Sequence, residues 1–542
     1  MLRRSISTET LAATLFATLL SGPALAQYEV AREDRNADLP SLVGTGLGTS
    51  LDVSGDRAIA GSVGDFATFD GSVFFFERDL SGAWVQTEIV LPTSASHRFF
   101  GAAVAMDGDR AAIGSPGPGN GTLPGEVLLL EYTGGWLGAA TLSAPTPTNG
   151  DFFGTSLAVS GQRVLVGAPG DASGAGRVYV LERSVGGLWQ HVADFTSGDP
   201  DAGDGFGTTV AWAGSRAIVS APRDNAAAVD AGAVYVFEET APGTWTEVTK
   251  LVASDAAPGD NFGLVLDAHG DRVAAGSPTK AITGARAGVA YVLEVDGSGT
   301  WSEVDEITIP NTVINIGFAL ALGSIAIGDE HVVLGYPGTI GGVFVAERRT
   351  DGTYRTSIQL AATDAPTGIF SSFGYGRRVA VDGSTLLVSA PGAGLPTFFG
   401  FTGRCYEYGL GQLYHGLRDV SIATPFPQNL HLRATDAHAG DIWYFMGSAT
   451  GTSPGTFDPV SGLTLPLNYD AYTQLLLGTG FTFSGWFGQL DPNGEGEAAF
   501  VLPGGVSSSF AGKVLHHAYL VFDSTTFALS AISNATPVRL VN

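Results

Sequence analysis

Three aspartates occupy the same place in a repeated stretch of sequence. Asp151, Asp204 and Asp260 each lie two residues before a Phe-Gly pair. Carboxylates supplied by neighbouring repeats could bind a divalent cation together, because such ions take several oxygen ligands. They could equally accept hydrogen bonds from the backbone of their own turns. We expect the turn-capping role, and cation binding by these three residues stays open.

The other ionisable and nucleophilic side chains indicate a structural rather than a catalytic role. An active site should break the symmetry of the repeats, whereas six glutamates recur at the end of a Gly-x-Val-Tyr-Val-x-Glu pattern. They are Glu77, Glu131, Glu182, Glu238, Glu294 and Glu347. Cys405 lies where other repeats have valine, which predicts a thiol packed as a small hydrophobic group. The sequence contains no H-E-x-x-H, P-loop or dinucleotide-binding motif. We predict no catalytic, cofactor-binding or metal-ligating residues, and no cofactor.

The segments that carry these residues repeat every 53 to 59 residues, a period typical of repeat architectures. Each repeat begins with an aromatic residue or leucine followed by glycine, and continues to a small-small-Pro segment. The starts are Leu47-Gly48, Phe100-Gly101, Phe153-Gly154, Phe206-Gly207, Phe262-Gly263, Leu322-Gly323 and Phe373-Gly374. The prolines are Pro116, Pro169, Pro222, Pro278, Pro337 and Pro391.

The pattern of turns and apolar residues in each repeat predicts four short antiparallel strands. A tight turn such as Asp107-Gly108 separates the first two, a proline ends the second, and an aromatic residue such as Trp189 begins the fourth. Seven such units predict an all-β fold with a seven-bladed β-propeller. The last repeat lacks its fourth strand, and residues 28–32 resemble one. We therefore expect this N-terminal segment to pair beside residues 403–407 and complete the seventh blade.

Composition and flanking segments predict the domain organisation. Arg3, Arg4, an apolar stretch and Ala24-Leu25-Ala26 indicate a signal peptide over 1–26. The propeller is expected over 27–409. Alternating apolar strands and turns over 414–542 predict a small C-terminal β-sandwich. The net charge of −26 argues against nucleic acid or anionic membrane as a partner, and no transmembrane segment is expected after signal removal.

The paired Phe-Gly and Gly-Ala-Pro elements resemble the FG-GAP repeats of integrin α chains and related bacterial surface proteins. The resemblance covers residues 27 to about 409 and implies a seven-bladed propeller with an extracellular recognition or adhesion role. Some relatives bind calcium in a D-x-D-x-D-G loop between the first two strands. The hairpin at Asp107-Gly108-Asp109 is too short to surround a cation, so we do not transfer those sites. Residues 447–455 and 515–519 resemble a terminal module of secreted bacterial proteins.

These features predict a secreted or cell-surface, non-enzymatic binding and adhesion scaffold. We expect a monomer that recognises an extracellular protein or glycan through the variable loops that follow the second strands. These loops are 65–70, 117–124, 223–230, 279–286 and 392–402. The alternative is an extracellular polysaccharide hydrolase or lyase on the same scaffold, which would need acid and base residues from different blades.

Overall fold

The structure is a computed structural model, and it describes the strands of the chain and most of the connections in its central part. The predicted signal peptide, Tyr28, Phe373 and the loops 65–70 and 392–402 lie outside the described residues. The described ranges are 29–33, 47–63, 71–79, 84–92, 99–117, 123–282, 285–286, 288–308, 322–337, 342–349, 352–360, 374–383, 385–391, 404–409, 413–415, 419–421, 428–433, 440–448, 456–457, 464–465, 483–484, 487–490, 495–500, 514–526, 529–532 and 536–541.

Six blades of a β-propeller, each a four-stranded antiparallel sheet, are present in these residues. After β1 (Glu29–Glu33), the first three blades are β2 to β5 (Ser50–Ser54, Arg57–Ser62, Ser72–Arg78, Trp84–Val90), β6 to β9 (Ala103–Asp107, Arg110–Ser115, Glu126–Tyr132, Trp136–Leu142) and β10 to β13 (Ser156–Ser160, Arg163–Ala168, Arg177–Arg183, Trp189–Phe195). A one-turn helix, α1 (Asp171–Gly174), lies between β11 and β12.

The next three blades follow the same order. They are β14 to β17 (Val210–Ala213, Arg216–Ala221, Ala233–Ala241, Thr244–Leu251), β18, β19, β22 and β23 (Val265–His269, Arg272–Ser277, Val289–Val295, Trp301–Ile307), and β24 to β27 (Ser324–Ile327, His331–Tyr336, Gly342–Arg348, Tyr354–Leu360). A small hairpin, β20 (Ala281–Ile282) and β21 (Ala285–Arg286), is inserted in the fifth blade. In every blade the pairing of the third and fourth strands contains a bulge, and in the fourth blade it contains two irregularities.

In four of the six blades two glycines bring neighbouring blades into backbone contact. In the third blade the Gly154 amide donates to the Gly167 carbonyl at 3.0 Å, which joins the Phe-Gly pair to the Gly-Ala-Pro segment. Gly154 has φ = +89°, a conformation that favours glycine. A Cβ on Gly167 would lie 2.0 Å from the carbonyl oxygen of Gly207 in the fourth blade. The spacing between blades is therefore set by backbone atoms.

The aromatic residue of each Phe-Gly pair fills the space between two blades. Phe153, Phe206 and Phe262 are fully buried. Phe206 packs edge-on against Tyr235 of its own blade and belongs to a cluster that includes Leu165 and Val180 of the preceding blade. Their recurrence beside a glycine predicts burial between blades rather than a role in recognition, and the structure confirms that burial.

The repeat after β27 begins two residues later than the sequence pattern predicts. Tyr375 is fully buried, and Gly376 has φ = +81° and donates to the carbonyl of Ser389 at 3.0 Å. Tyr375-Gly376 therefore takes the place of the Phe-Gly pair, and the assignment of Phe373-Gly374 is wrong. The physical reason is the fixed span of the first hairpin, since thirteen residues separate Gly376 from Ser389 as they separate Gly154 from Gly167.

This repeat contributes three strands to a further four-stranded sheet. They are β28 (Val379–Asp382), β29 (Thr385–Ala390) and β30 (Arg404–Gly409), and the sheet order is β1-β30-β29-β28. Cys405 of β30 packs against the hydrophobic cluster of the first blade, and burial raises the pKa of its thiol to about 12. The thiol therefore packs as a small hydrophobic group, as its position in the repeat predicted.

The C-terminal residues form a separate set of sheets. Residues Val30–Arg348 and Gly352–Tyr408 make up one compact unit, and Gly409–Asn542 belongs to another. One C-terminal sheet has the order β31-β33-β39-β37 (Leu413–His415, Gln428–Arg433, Glu495–Phe500, Phe483–Ser484). A six-stranded sheet contains β32, β34, β38, β40, β41 and β42 (Asp419–Ser421, Ile442–Ser448, Phe487–Gln489, Val514–Phe522, Leu529–Ile532, Thr536–Val541), and β35 (Thr456–Phe457) pairs with β36 (Thr464–Leu465). Among the described residues no helix has the length and apolar character needed to cross a membrane.

The close approach of the blades predicts that Gly167 tolerates no side chain. Gly167→Ala should destabilise the protein by about 1–3 kcal/mol, because the added methyl group meets a neighbouring backbone carbonyl rather than a movable side chain. Gly297→Ala is the matched control, since no atom lies within 4 Å of a Cβ at that position. Chemical denaturation of both variants tests this. Equal stability of the two variants would contradict it.

Candidate binding site on the loop face

The strand order places two kinds of segment at one end of the propeller. The Phe-Gly pairs precede the first strand of each blade, and the loops after the small-small-Pro segments follow the second strand. In the third blade Ser156 pairs with Gly167, so both segments meet at the same edge. We call this end the loop face, and the opposite end, with turns such as Asp107-Gly108-Asp109, the hairpin face.

The three repeated aspartates of the loop face cap turns. Asp151 accepts hydrogen bonds from the amides of Thr148 (3.0 Å) and Phe153 (3.1 Å). Asp204 accepts from the amide of Asp201, and Asp260 from that of Ala257, both at 2.9 Å. All three are buried. The turn-capping role predicted for them agrees with this geometry, and the described residues contain no group of three or more acidic, histidine or cysteine side chains placed to hold a metal ion.

The turn aspartates of the hairpin face bind the neighbouring blades. The Gly161 amide of the third blade donates to Asp107 at 2.6 Å, and Arg57 of the first blade donates to Asp109 at 2.6 Å. Asp107 and Asp109 therefore act as turn residues that also join blades.

The recurrent glutamates form part of the same inter-blade network. Glu131 of the second blade pairs with Arg183 of the third (2.9 Å) and accepts from the indole of Trp189 (3.0 Å). The bond to Arg183 lowers the pKa of Glu131, and burial opposes this only in part. Glu294 likewise binds Arg348 of the next blade at 3.1 Å. The structural role predicted for these glutamates agrees with these contacts.

The first strands of the blades line a central channel with a volume of about 520 Å³. Asp52 and Asp267 occupy equivalent positions in this lining, where five other first strands have alanine: Ala105, Ala158, Ala211, Ala326 and Ala380. Each carboxylate bridges two blades. Asp52 accepts from the Val53 amide (2.8 Å) and from the Met106 amide of the next blade (2.7 Å).

Burial in the channel shifts the titration of both carboxylates. It raises the pKa of Asp52 to about 7, although the two backbone amides favour the charged form. The pKa of Asp267 is raised to about 6 for the same reason, against the amides of Ile327 and Ala268. The sequence analysis singled out neither residue. The available signal was that aspartate replaces alanine at this position in two of the first strands.

A second cavity, of about 580 Å³, opens on the loop face between the third, fourth and fifth blades. Phe152, Pro169, Arg223 and Asn261 line it together with several glycines. Phe152 has φ = +55°, an uncommon conformation for a bulky residue. Its ring lies against Gly170, where a Cβ would come within 2.7 Å of the ring. We call this cavity the loop-face pocket.

Three stretches of the chain match the FG-GAP repeat family: residues 136–181, 189–237 and 245–293. The chain carries FG-GAP repeats. Each matched stretch starts at the fourth strand of one blade and ends in the third strand of the next, as from Trp136 in β9 to Leu181 in β12. The repeated sequence unit thus spans the joint between blades. A comparison with curated proteins finds no match to the chain.

Two FG-GAP blades hold an ion cluster on the loop face that the sequence analysis missed. In the fourth blade Lys250 lies 2.8 Å from Asp199 and 2.7 Å from Asp224, and the Tyr235 hydroxyl lies 2.6 Å from Asp224. Burial disfavours the lysine charge, but the two carboxylates outweigh it and raise the pKa of Lys250. The recurrence of Asp199 56 residues later, as Asp255, was an available signal.

The fifth blade forms an equivalent cluster in which a lysine takes the position of one aspartate. Lys280 stands at the position of Asp224 and binds Asp255 (3.0 Å) and Asp260 (2.9 Å), while the Tyr291 hydroxyl donates to Asp255 at 2.7 Å. Each lysine has two carboxylate partners within its own cluster. These groups hold the loops in place, and each lysine is fully occupied by the carboxylates of its own cluster.

The raised pKa of Asp52 predicts a pH-dependent contribution to stability. An aspartate titrates near pH 3.9 in an unfolded chain, so between about pH 4 and pH 7 the folded state binds more protons than the unfolded state. This contribution therefore falls as the pH rises through that window. The Asp52→Asn variant lacks this contribution. The melting temperature of the variant minus that of wild type should therefore increase from pH 4 to pH 8. Asp56→Asn, at an exposed turn, is the control; identical pH profiles for all three proteins would contradict the assignment.

Proposed function

We propose that this protein is a secreted or cell-surface binding scaffold, without enzymatic activity, that recognises an extracellular protein or glycan through the loop face. The loop-face pocket is the observation that carries the proposal. It combines an aromatic ring, a guanidinium group and an amide in one open cavity on a rigid set of blades. The signal-like N-terminus and the strongly acidic composition support an extracellular location.

The contacts of the other polar groups favour binding over hydrolysis. A glycosidase needs two carboxyl groups that face a substrate. The described carboxylates at recurrent positions instead bind backbone amides, lysines or arginines of their own or neighbouring blades. Asp52 and Asp267 have raised pKa values, but each uses both of its oxygens to join two blades. The alternative of a polysaccharide hydrolase or lyase therefore has weaker support.

We further propose that the sheet β1-β30-β29-β28 is a seventh blade that closes the ring. Its support is contact on both sides, because β28 touches β24 of the sixth blade and β2 of the first. The Gly55 amide of the first blade donates to Asp382 at 2.5 Å, and Arg78 pairs with Glu407. One hydrophobic cluster contains both Leu47 and Leu387. A closed ring joined through an N-terminal strand would need no disulfide.

We also propose that the C-terminal unit is a β-sandwich. The four-stranded and six-stranded sheets supply the two layers that such a fold needs. Trp443 and Tyr519, on paired strands of the larger sheet, are buried and pack edge-on at 5.2 Å. A buried aromatic pair on one face of that sheet is what a covering layer would produce.

Ring closure predicts that the pair between Arg78 and Glu407 stabilises the fold. Glu407 is buried, so Glu407→Gln should lower the unfolding free energy by roughly 2–3 kcal/mol, somewhat less than for a fully buried pair because Arg78 keeps some exposure. Asp56→Asn is the control. Asp56 contacts the same arginine at 3.6 Å from an exposed position, and such pairs contribute little. Urea denaturation that ranks the two variants equally would argue against closure.

The binding role is tested with the chain from residue 27 on arrays of extracellular proteins and glycans. We expect at least one ligand, and loss of its binding in Leu264→Arg. Leu264 is exposed and lines both the channel and the loop-face pocket. Leu137→Arg is the control, since Leu137 is exposed in an outer strand away from both cavities. A ligand lost only in the control, or hydrolysis of an array glycan, would overturn the proposal.

A further inference from the structure

Most arginines of the hairpin face are neutralised by carboxylates. Arg163 binds Glu182 and Glu239, and Arg216 binds Glu238 (2.7 Å) and Asp271 (3.0 Å). Other ion pairs of the same kind join Arg57 to Asp109, Arg183 to Glu131 and Arg348 to Glu294. These guanidinium groups are therefore occupied by the protein itself.

Three arginines of the loop face differ in this respect. Among the described residues, Arg223, Arg377 and Arg378 have no carboxylate within ion-pair distance. Arg223 and Arg377 are exposed. Arg378 donates to the backbone carbonyls of Gly323 (3.2 Å) and Arg377 (3.4 Å). Burial and the adjacent charge of Arg377 lower the pKa of Arg378 to about 10. In a chain with 53 acidic side chains, unneutralised arginines side by side are unexpected.

The positions of these arginines connect the two cavities. Arg378 lines the central channel, and Arg377 precedes it at the loop-face end of β28. Arg223 lines the loop-face pocket. Thr208 and Leu264 line both cavities, so the two adjoin on the loop face. A ligand that extends from one to the other would meet cationic groups at both ends.

We propose that the loop face binds an acidic polysaccharide that carries carboxylates on its sugar rings. This inference rests on the binding role proposed above and names its ligand class. Arg377, with Arg378 beside it, binds one carboxylate at the channel mouth, and Arg223 binds another, as guanidinium groups pair well with carboxylates. The ring of Phe152 offers an apolar surface to the C–H face of a sugar.

The surroundings favour a sugar over an acidic peptide or a nucleic acid. Hydroxyl groups of Thr155 and Thr208 line the channel near its mouth; each donates to a backbone carbonyl and can still accept a hydrogen bond from a sugar hydroxyl. An extended peptide would need a free strand edge with which to pair, and the pocket is formed by loops. A nucleic acid needs a broad basic surface that follows its phosphates, and three arginines at two cavities do not form one.

The test is calorimetric titration of the chain from residue 27 with galacturonate oligomers, and with the same oligomers after methyl esterification. The ester keeps the sugar and removes the charge. We expect binding of the acid form and at least a tenfold loss with the ester. Arg377→Ala and Arg223→Ala should each weaken binding by roughly tenfold, as expected for loss of a charged hydrogen bond.

Arg216→Ala is the matched control. Arg216 begins β15 on the hairpin face and Arg223 follows the same strand on the loop face, so both variants remove one positive charge from one blade. We expect Arg216→Ala to bind as wild type does, and the melting temperatures of Arg223→Ala and Arg377→Ala to match wild type because both side chains are exposed.

Several outcomes would overturn the inference. They are equal affinity for the ester, no effect of either loop-face substitution, or equally tight binding of a polyglutamate peptide. An array ligand that is lost in Leu264→Arg, with no binding of galacturonate, would refute this ligand class and leave the binding role intact. Absence of any array ligand, together with no galacturonate binding, would refute both.

Discussion

The fold depends on the contact between the backbones of adjacent blades at the two repeated glycines. The carbonyl of one Phe-Gly glycine fills the space that a side chain on the preceding Gly-Ala-Pro glycine would need, as Gly207 does at Gly167. The same Phe-Gly glycine adopts a positive φ so that its amide can bond within its own blade. The phenylalanine of the same pair is buried between the two blades, as Phe206 is beside Gly207.

In several blades a serine hydroxyl group also lies at this contact. The serine belongs to the first strand in some blades and to the second strand in the fourth blade. Ser50, Ser156 and Ser324 of the first strands donate to the Phe-Gly carbonyl of the next blade, and their partners in the second strand are glycines. In the fourth blade the serine is on the second strand instead. Ser220 accepts from the Thr209 amide, and its Cβ lies against the site of Gly263. Thr209, which faces Ser220, donates its hydroxyl to the carbonyl of Leu264 in the next blade at 3.2 Å, so this joint also has a hydroxyl bonded across it.

The sequence predicted the features that depend on residues close together in the chain. Contacts between distant segments could not be predicted, because they depend on how the blades pack. Glycine turns, strand periodicity and buried phenylalanines follow from residues close in the chain. The repeat start at Tyr375-Gly376 was also accessible, since only that pair keeps the thirteen-residue span to the end of the second strand. The recurrence of Asp199 as Asp255 marked a repeated position, but its pairing with Lys250 and Asp224 was not predictable, because a fourth strand and two loops meet only when the whole blade packs.

The distribution of charge explains how the loop face could vary without loss of the fold. The joints between blades are made by backbone contacts, buried aromatic rings and hairpin-face pairs such as Arg183 with Glu131. Most side chains of the loop from Arg223 to Val229 are exposed and belong to none of these joints, and buried Asp224 is the exception. A substitution there changes the surface that a ligand meets and leaves the blade contacts unchanged. Unpaired arginines can persist on this face for the same reason, because their neutralisation is not needed to hold the blades together.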